Sequence, residues 1–182
     1  MLVHSITTQD MNLIKVNRIQ RNSEVKDKEN TTVLPSYSVT RSYANISFKG
    51  WDELLIAVNY DDVETLRKEL EKGTNINARN YFGKTAIIMA GDNGSTKCFK
   101  ELRKHPELDI YAEDNNGWMC FTSACLLGYK DIIQDLCDDP DFDVNYQSKK
   151  TGDNGLIVAC RNNREEAVDI ILKRKDVDLT LR

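Results

Sequence analysis

Histidine and tryptophan are scarce in this 182-residue chain, with two of each, and proline is limited to three. Two histidines, His4 and His105, leave little material for a zinc site or an imidazole general base. No pair among the five cysteines, Cys98, Cys120, Cys125, Cys137 and Cys160, has the two-residue gap of a zinc knuckle, and neither histidine stands at a ligand-like spacing from them. A Cys-His nucleophile pair would have to use His105, beside Pro106 in a loop, with no Asn or Asp placed to orient it. There is no GKS or GKT phosphate loop and no glycine-rich nucleotide fingerprint. No apolar run approaches membrane-spanning length, and the beginning of the chain lacks a basic region followed by a long apolar core. The expectations are therefore no catalysis, no metal, no cofactor and no membrane, in a cytoplasmic protein with the nucleus as the alternative.

An odd number of cysteines in a reducing compartment argues against a disulfide framework, so all are expected as small buried packing residues. The acidic run Asp135, Asp138, Asp139, Asp141 and Asp143 lacks the glycine and terminal glutamate of a calcium loop and is expected to be a solvated edge. Sequons begin at Asn30, Asn45 and Asn93 and are expected to be unused in the absence of a secretory signal.

What the chain does have is charge, at 30% of residues, alongside 40% hydrophobic residues, which suits one elongated soluble domain plus a tail. The net charge of −4 is unevenly shared. Residues 1–50 hold seven Lys or Arg against four Asp or Glu, and the remainder holds eighteen against twenty-five. An acidic main body argues against nucleic acid as the ligand. Residues 1–44 read as an N-terminal arm, polar, rich in Ser and Thr, and interrupted by Pro35. Within it Leu13, Ile14, Val16 and Ile19 suit a short helix or a strand, and periodicity does not decide between them. Lys28-Glu29-Asn30 resembles the KEN box read by the anaphase-promoting ubiquitin ligase, a motif short enough to arise by chance.

From about residue 46 onward one pattern recurs. Between Asn80 and Ala112 the chain reads as a turn, an apolar helix after Thr85, a reversal at Gly94, a second helix from Ser95 to Arg103, and an exit loop after Pro106. Such a unit cannot bury its own apolar face, so neighbours must repeat it. Ala57, Ala90, Ala124 and Ala159 align at spacings of 33, 34 and 35 residues. In the same register stand Leu66, Phe99, Ile133 and Val168, then Glu69, Leu102, Leu136 and Ile171. Asn75, Asp109, Asp143 and Asp178 fall at the exits, and Gly50, Gly83, Gly117 and Gly152 stand two residues before the helix-capping position. That position holds Asp52, Thr85, Met119 and Asn154, of which Met119 alone cannot cap. The inter-helix turn holds Asp61, Gly94, Gly128 and Asn163, all types that tolerate a left-handed backbone.

These columns resemble the ankyrin repeat, over residues 45–182, with units at about 46–79, 80–113, 114–147 and 148–182. The resemblance implies an all-α solenoid of four helix-turn-helix units with short loop or β-hairpin fingers. It also implies a groove of finger tips and first helices in which a protein partner docks. Two departures stand out. The family's proline is replaced by Glu53, Ala86, Cys120 and Gly155. Its histidine is replaced by Leu55, Ile88, Thr122 and Ile157, which predicts the loss of the side-chain hydrogen bond that ties turn to helix. Carried onto this chain, the groove positions are Tyr81, Phe82, Lys84, Asn115, Asn116, Trp118, Leu127, Lys149, Lys150, Asp153 and Arg161. Trp51, Lys84, Trp118 and Asp153 share a position outside the core columns, which places Phe82, Trp118 and Leu127 as exposed apolar anchors.

Two functional classes follow. One is a non-catalytic interaction module or scaffold that binds a protein partner. The other is the ankyrin portion of a larger enzyme, effector or ubiquitin-ligase adaptor whose active part lies outside this chain. The fourth unit keeps Ala167, Val168, Ile170, Ile171 and Leu172 in its second helix, so self-association through an uncapped last repeat is expected if no further unit covers it.

Overall fold

The computed structural model describes residues 52–181. The N-terminal arm, the KEN-like tripeptide, the apolar segment near Leu13, and Gly50 with Trp51 lie outside the described residues. Eight helices occur among those described, as four pairs: α1 Glu53–Asn59 with α2 Val63–Glu71, α3 Ala86–Asn93 with α4 Thr96–Leu102, α5 Cys120–Leu127 with α6 Lys130–Asp138, and α7 Gly155–Arg161 with α8 Glu165–Ile171. No strand occurs among the described residues, so the fingers are turns rather than β-hairpins.

First helices pack on first helices and second on second, each unit covering its neighbour. The apolar columns meet there. Leu66, Phe99 and Ile133 are fully buried, as are Leu102, Leu136 and Ile171. Glu69 takes the core position of unit one and is buried, its carboxylate held by Lys72 at 2.5 Å and by the Thr74 hydroxyl at 3.4 Å. Each helix pair turns through a left-handed residue, with φ of 54° at Asp61, 67° at Gly94, 77° at Gly128 and 53° at Asn163. Asp61 also reaches into the next unit, where its carboxylate accepts from the backbone N–H of Cys98 at 2.9 Å and caps a helix there.

The caps depart from expectation. Asp52 and Asn154 accept from the N–H of Leu55 and Ile157 at 3.0 and 2.9 Å. Thr85 occupies the same position but makes no capping bond, and its buried hydroxyl has no partner among the described residues. Met119 cannot accept, and Thr122 compensates by reaching back: its hydroxyl accepts from the Met119 N–H at 3.0 Å and donates to the Met119 carbonyl at 3.1 Å. The tie expected to be lost with the family's histidine is thus present in unit three, made by the threonine in that column.

Close approach also dictates two glycines. A Cβ on Gly91 would lie 2.4 Å from the Cys120 carbonyl oxygen, and one on Gly155 would lie 2.2 Å from the Phe121 ring. The Phe121 ring therefore fills space that a proline or any larger residue at Gly155 would need.

Candidate functional site: the finger and first-helix face

Each of the three described fingers is built on a short polar side chain three or four residues before its glycine. The Asn80 side-chain oxygen accepts from the N–H groups of Phe82 and Lys84 at 2.9 and 3.0 Å. Asp114 holds Asn116 and Trp118 in the same way at 2.7 and 3.0 Å. The Ser148 hydroxyl accepts from Lys150 and Thr151, both at 3.2 Å. This column escaped the sequence reading, although Asn, Asp or Ser shortly before a turn glycine is a recognisable signal for such a turn.

Fingers are also stitched to one another. Asn115 donates its backbone N–H to Phe82 O at 3.0 Å and its amide to Tyr81 O at 3.1 Å. Arg79 bridges Gly83 O and Glu113 O, and the Glu113 carboxylate in turn accepts from the Ser148 hydroxyl and the Lys149 N–H. Lys150 Nζ donates to Asn115 O. The predicted site residues of the three fingers are thereby drawn into one continuous surface.

Their individual states differ from an even exposure. Tyr81 and Phe82 are exposed at 82% and 54%, with their rings edge to face at 5.6 Å. Trp118 is half-buried and packs on the core, and Leu127 is half-buried. Neither is the freely exposed anchor predicted: Trp118 packs on the core, and Leu127, the last residue of α5, is partly covered. Lys84 is half-buried as well, paired with Asp92 and lying 3.4 Å from the otherwise unbonded Asp114 Oδ2. Burial pulls the Lys84 pKa down, Asp92 and then Asp114 push it up, and the net shift is upward. Asp153 and Arg161 form a two-pronged pair at 2.8 and 3.0 Å. Asn115, Asn116, Lys149 and Lys150 are exposed.

Aligned by unit, these pairs form a pattern. The finger-base position and the matching first-helix position hold Lys84 and Asp92 in unit two, Trp118 and Leu126 in unit three, and Asp153 and Arg161 in unit four. An apolar centre is therefore flanked by two ion pairs of opposite polarity.

The exit side is organised differently. Asn77 donates to Glu107 O and accepts from Asp109 N, and Asn145 repeats the clamp on Asp176 O and Asp178 N, all between 2.7 and 2.9 Å. Tyr111 stands at this position in unit two. Its hydroxyl accepts from Asp143 N at 2.7 Å, and its ring stacks on Phe142 at 5.5 Å and Tyr146 at 4.7 Å. Phe121 meets Phe142 edge-on at 5.1 Å and completes the cluster.

Among the described residues no group of three metal-ligating side chains converges. Four thiols are buried, and burial pushes Cys137 up to about 11 and Cys98, Cys120 and Cys125 well above the ordinary thiol value. Such thiols carry little thiolate at neutral pH. Cys160 departs from the expected burial: it is exposed, although Cys125 in the same column is sealed by the following unit. No helix among the described residues is long and apolar enough to cross a membrane.

A family profile described as ankyrin repeats, in three copies, matches residues 54–148, more than half of the chain. The chain belongs to the ankyrin repeat family. Over 120 residues it is 28% identical to Rabankyrin-5 of Mus musculus, an alignment that covers 65% of this chain and 10% of that protein. The chain thus spans about a tenth of the length of that relative. Ankyrin repeats are in general non-catalytic protein-interaction modules, and the turn, stack and exit columns here are theirs.

Proposed function

We propose that this chain is a non-catalytic scaffold module that grips a protein partner on its finger and first-helix face. The observation that carries the reading is the surface centred on half-buried Trp118, with exposed Tyr81 and Phe82 on one side and exposed Lys149, Lys150 and Arg161 on the other. Apolar anchors rimmed by polar and charged groups are how protein interfaces concentrate binding energy. Five free thiols suit a reducing, cytoplasmic or nuclear setting.

Phe82 is the cleanest probe, since it is more than half exposed and its removal leaves the core intact. Phe82→Ala should keep the circular dichroism and melting temperature of the parent while weakening partner capture by about 2 kcal/mol. Trp118→Ala should weaken it at least as much but also lower stability, because the indole packs on the core. Partner binding that survives both substitutions removes this face from consideration.

A second reading concerns the fourth unit, where Leu172 and Leu179 are exposed at 48% and 72%. We propose pairing with another chain through that side. Sedimentation decides it, and a monodisperse monomer removes the idea. That the chain aligns with a tenth of Rabankyrin-5 is also consistent with a binding segment serving a larger protein whose activity lies elsewhere.

A further inference from the structure

We infer that the finger and first-helix face selects an extended protein segment bearing an apolar or aromatic side chain about six residues from a cluster of carboxylates. The inference rests on that face being the docking surface and names the chemistry of what docks.

The body of the chain is acidic, yet the carboxylates on this face are engaged internally. Asp92 and Asp114 face Lys84, Asp153 grips Arg161, and Glu113 accepts from Ser148 and from the Lys149 backbone. Three cations of unit four, Lys149, Lys150 and Arg164, have no carboxylate partner among the described residues. Lys150 Nζ meets the carbonyl of Asn115, and Arg164 Nε meets the carbonyl of Leu126 at 2.7 Å, both uncharged acceptors. Lys149 is exposed and has no ion pair among the described residues. On the unit-four finger Lys149 and Lys150 thus outnumber the one carboxylate beside them that no cation neutralises, Glu113, and Arg164 adds a third positive charge at the inter-helix turn of the same unit. A partner whose charges complement them is favoured in both encounter and register.

The opposite end has another character. Equivalent finger-tip positions run from Tyr81 and Phe82 through Asn115 and Asn116 to Lys149 and Lys150. Tyr81 and Phe82 present ring surface to solvent, and Asn115 is tied into the finger stitching. The row is therefore graded from aromatic to basic. Packed helices lie about 8–10 Å apart, so two unit spacings amount to about 16–20 Å. An extended chain advances about 3.3 Å per residue, which sets the apolar and acidic elements of the occupant about five or six residues apart.

Selection of random twelve-residue peptides displayed on phage, against the full chain, tests this directly. Recovered binders should be enriched in an apolar residue about six positions from two or more Asp or Glu. As synthetic fluorescent peptides they should lose about tenfold or more in affinity toward Lys149→Glu/Lys150→Glu, by anisotropy at about 150 mM salt. Both lysines are exposed, so that variant should retain the parent's circular dichroism. Peptides with Lys in place of Glu should regain affinity for the double variant. Binders that depend on Phe82 but carry no acidic excess overturn the proposed chemistry and leave the docking face standing. Binders indifferent to both Phe82→Ala and the lysine reversal, or no binders at all, overturn the face itself. Binding of anionic vesicles or RNA through these lysines, without binding of acidic peptide, also overturns the proposal.

Discussion

Units three and four share one register and nearly the same helix lengths, yet they live in different surroundings. Unit three is covered on both sides, and Phe121, Ile133 and Cys125 are buried. In the matching columns of unit four, Leu156 and Val168 are half-buried and Cys160 is exposed. Local sequence does not explain the contrast, since all of these residues are apolar or thiol side chains of the same repeat. What differs is the number of neighbours, so the strength of a position in this chain depends on its place along the stack.

The sharpest way to break that comparison is to truncate matching side chains. Phe121→Ala should cost about 3–5 kcal/mol in urea unfolding, because the ring packs on Phe142 and fills the space left by Gly155. Leu156→Ala, in the same column, should cost about 1 kcal/mol, in keeping with its partial exposure. Equal losses would mean that unit four is covered as fully as unit three.

Caps extend the comparison to hydrogen bonds. Thr122→Val strands the buried N–H of Met119 and should cost about 1–3 kcal/mol. Asn154→Ala removes an ordinary cap and should cost about 1 kcal/mol. Thr85→Val, in unit two, deletes a hydroxyl that has no partner among the described residues and should be neutral or slightly stabilising.

Reactivity sharpens the same point without substitution. One thiol, Cys160, should react quickly with an aromatic disulfide reagent in the native protein, and the other four should follow only as it unfolds. Fast labelling of Cys125 would show that units three and four separate readily.

The smallest effect concerns a tie between the first two units. Hydrogen bonds from Arg67 and Lys104 hold the Glu101 carboxyl down at about 2 from its ordinary 4.5. A depressed carboxyl stabilises the fold fully above its unfolded value, and that contribution fades as pH falls from about 4.5 toward 2. Glu101→Gln should therefore be slightly less stable at about pH 7 and lose less on acidification, as followed by melting temperature. Parallel acid profiles for parent and variant would exclude the tie.

The stack was legible because its columns repeat: the alanine register alone brings Leu66, Phe99 and Ile133 into one buried row. Backbone demands were legible too, since Asp61, Gly94, Gly128 and Asn163 are types that accept the left-handed turn they make. Side-chain direction was harder. Thr85 and Thr122 are the same residue type, yet the first leaves its hydroxyl idle and the second reaches back one turn, a choice settled by rotamer and neighbours. Within the candidate face, Lys84, Asp153 and Arg161 proved to be partners of residues eight apart or of the next finger. Pairs at that separation leave no helical or strand periodicity to read. Cys160 looked like Cys125 because composition is blind to the cover that a neighbouring unit supplies.

The exit clamps carry a mechanical consequence. Asn77 and Asn145 each close on the next unit with two directional hydrogen bonds, which resist both sliding and twisting. Between units two and three the corresponding joint is a stack of Tyr111 with Phe142 and Tyr146, secured by one bond from the Asp143 N–H to the tyrosine hydroxyl. On the exit side the middle joint is therefore held by ring packing and a single hydrogen bond where its two neighbours are held by paired amide bonds, at the junction where the aromatic fingertips meet the finger that carries Trp118.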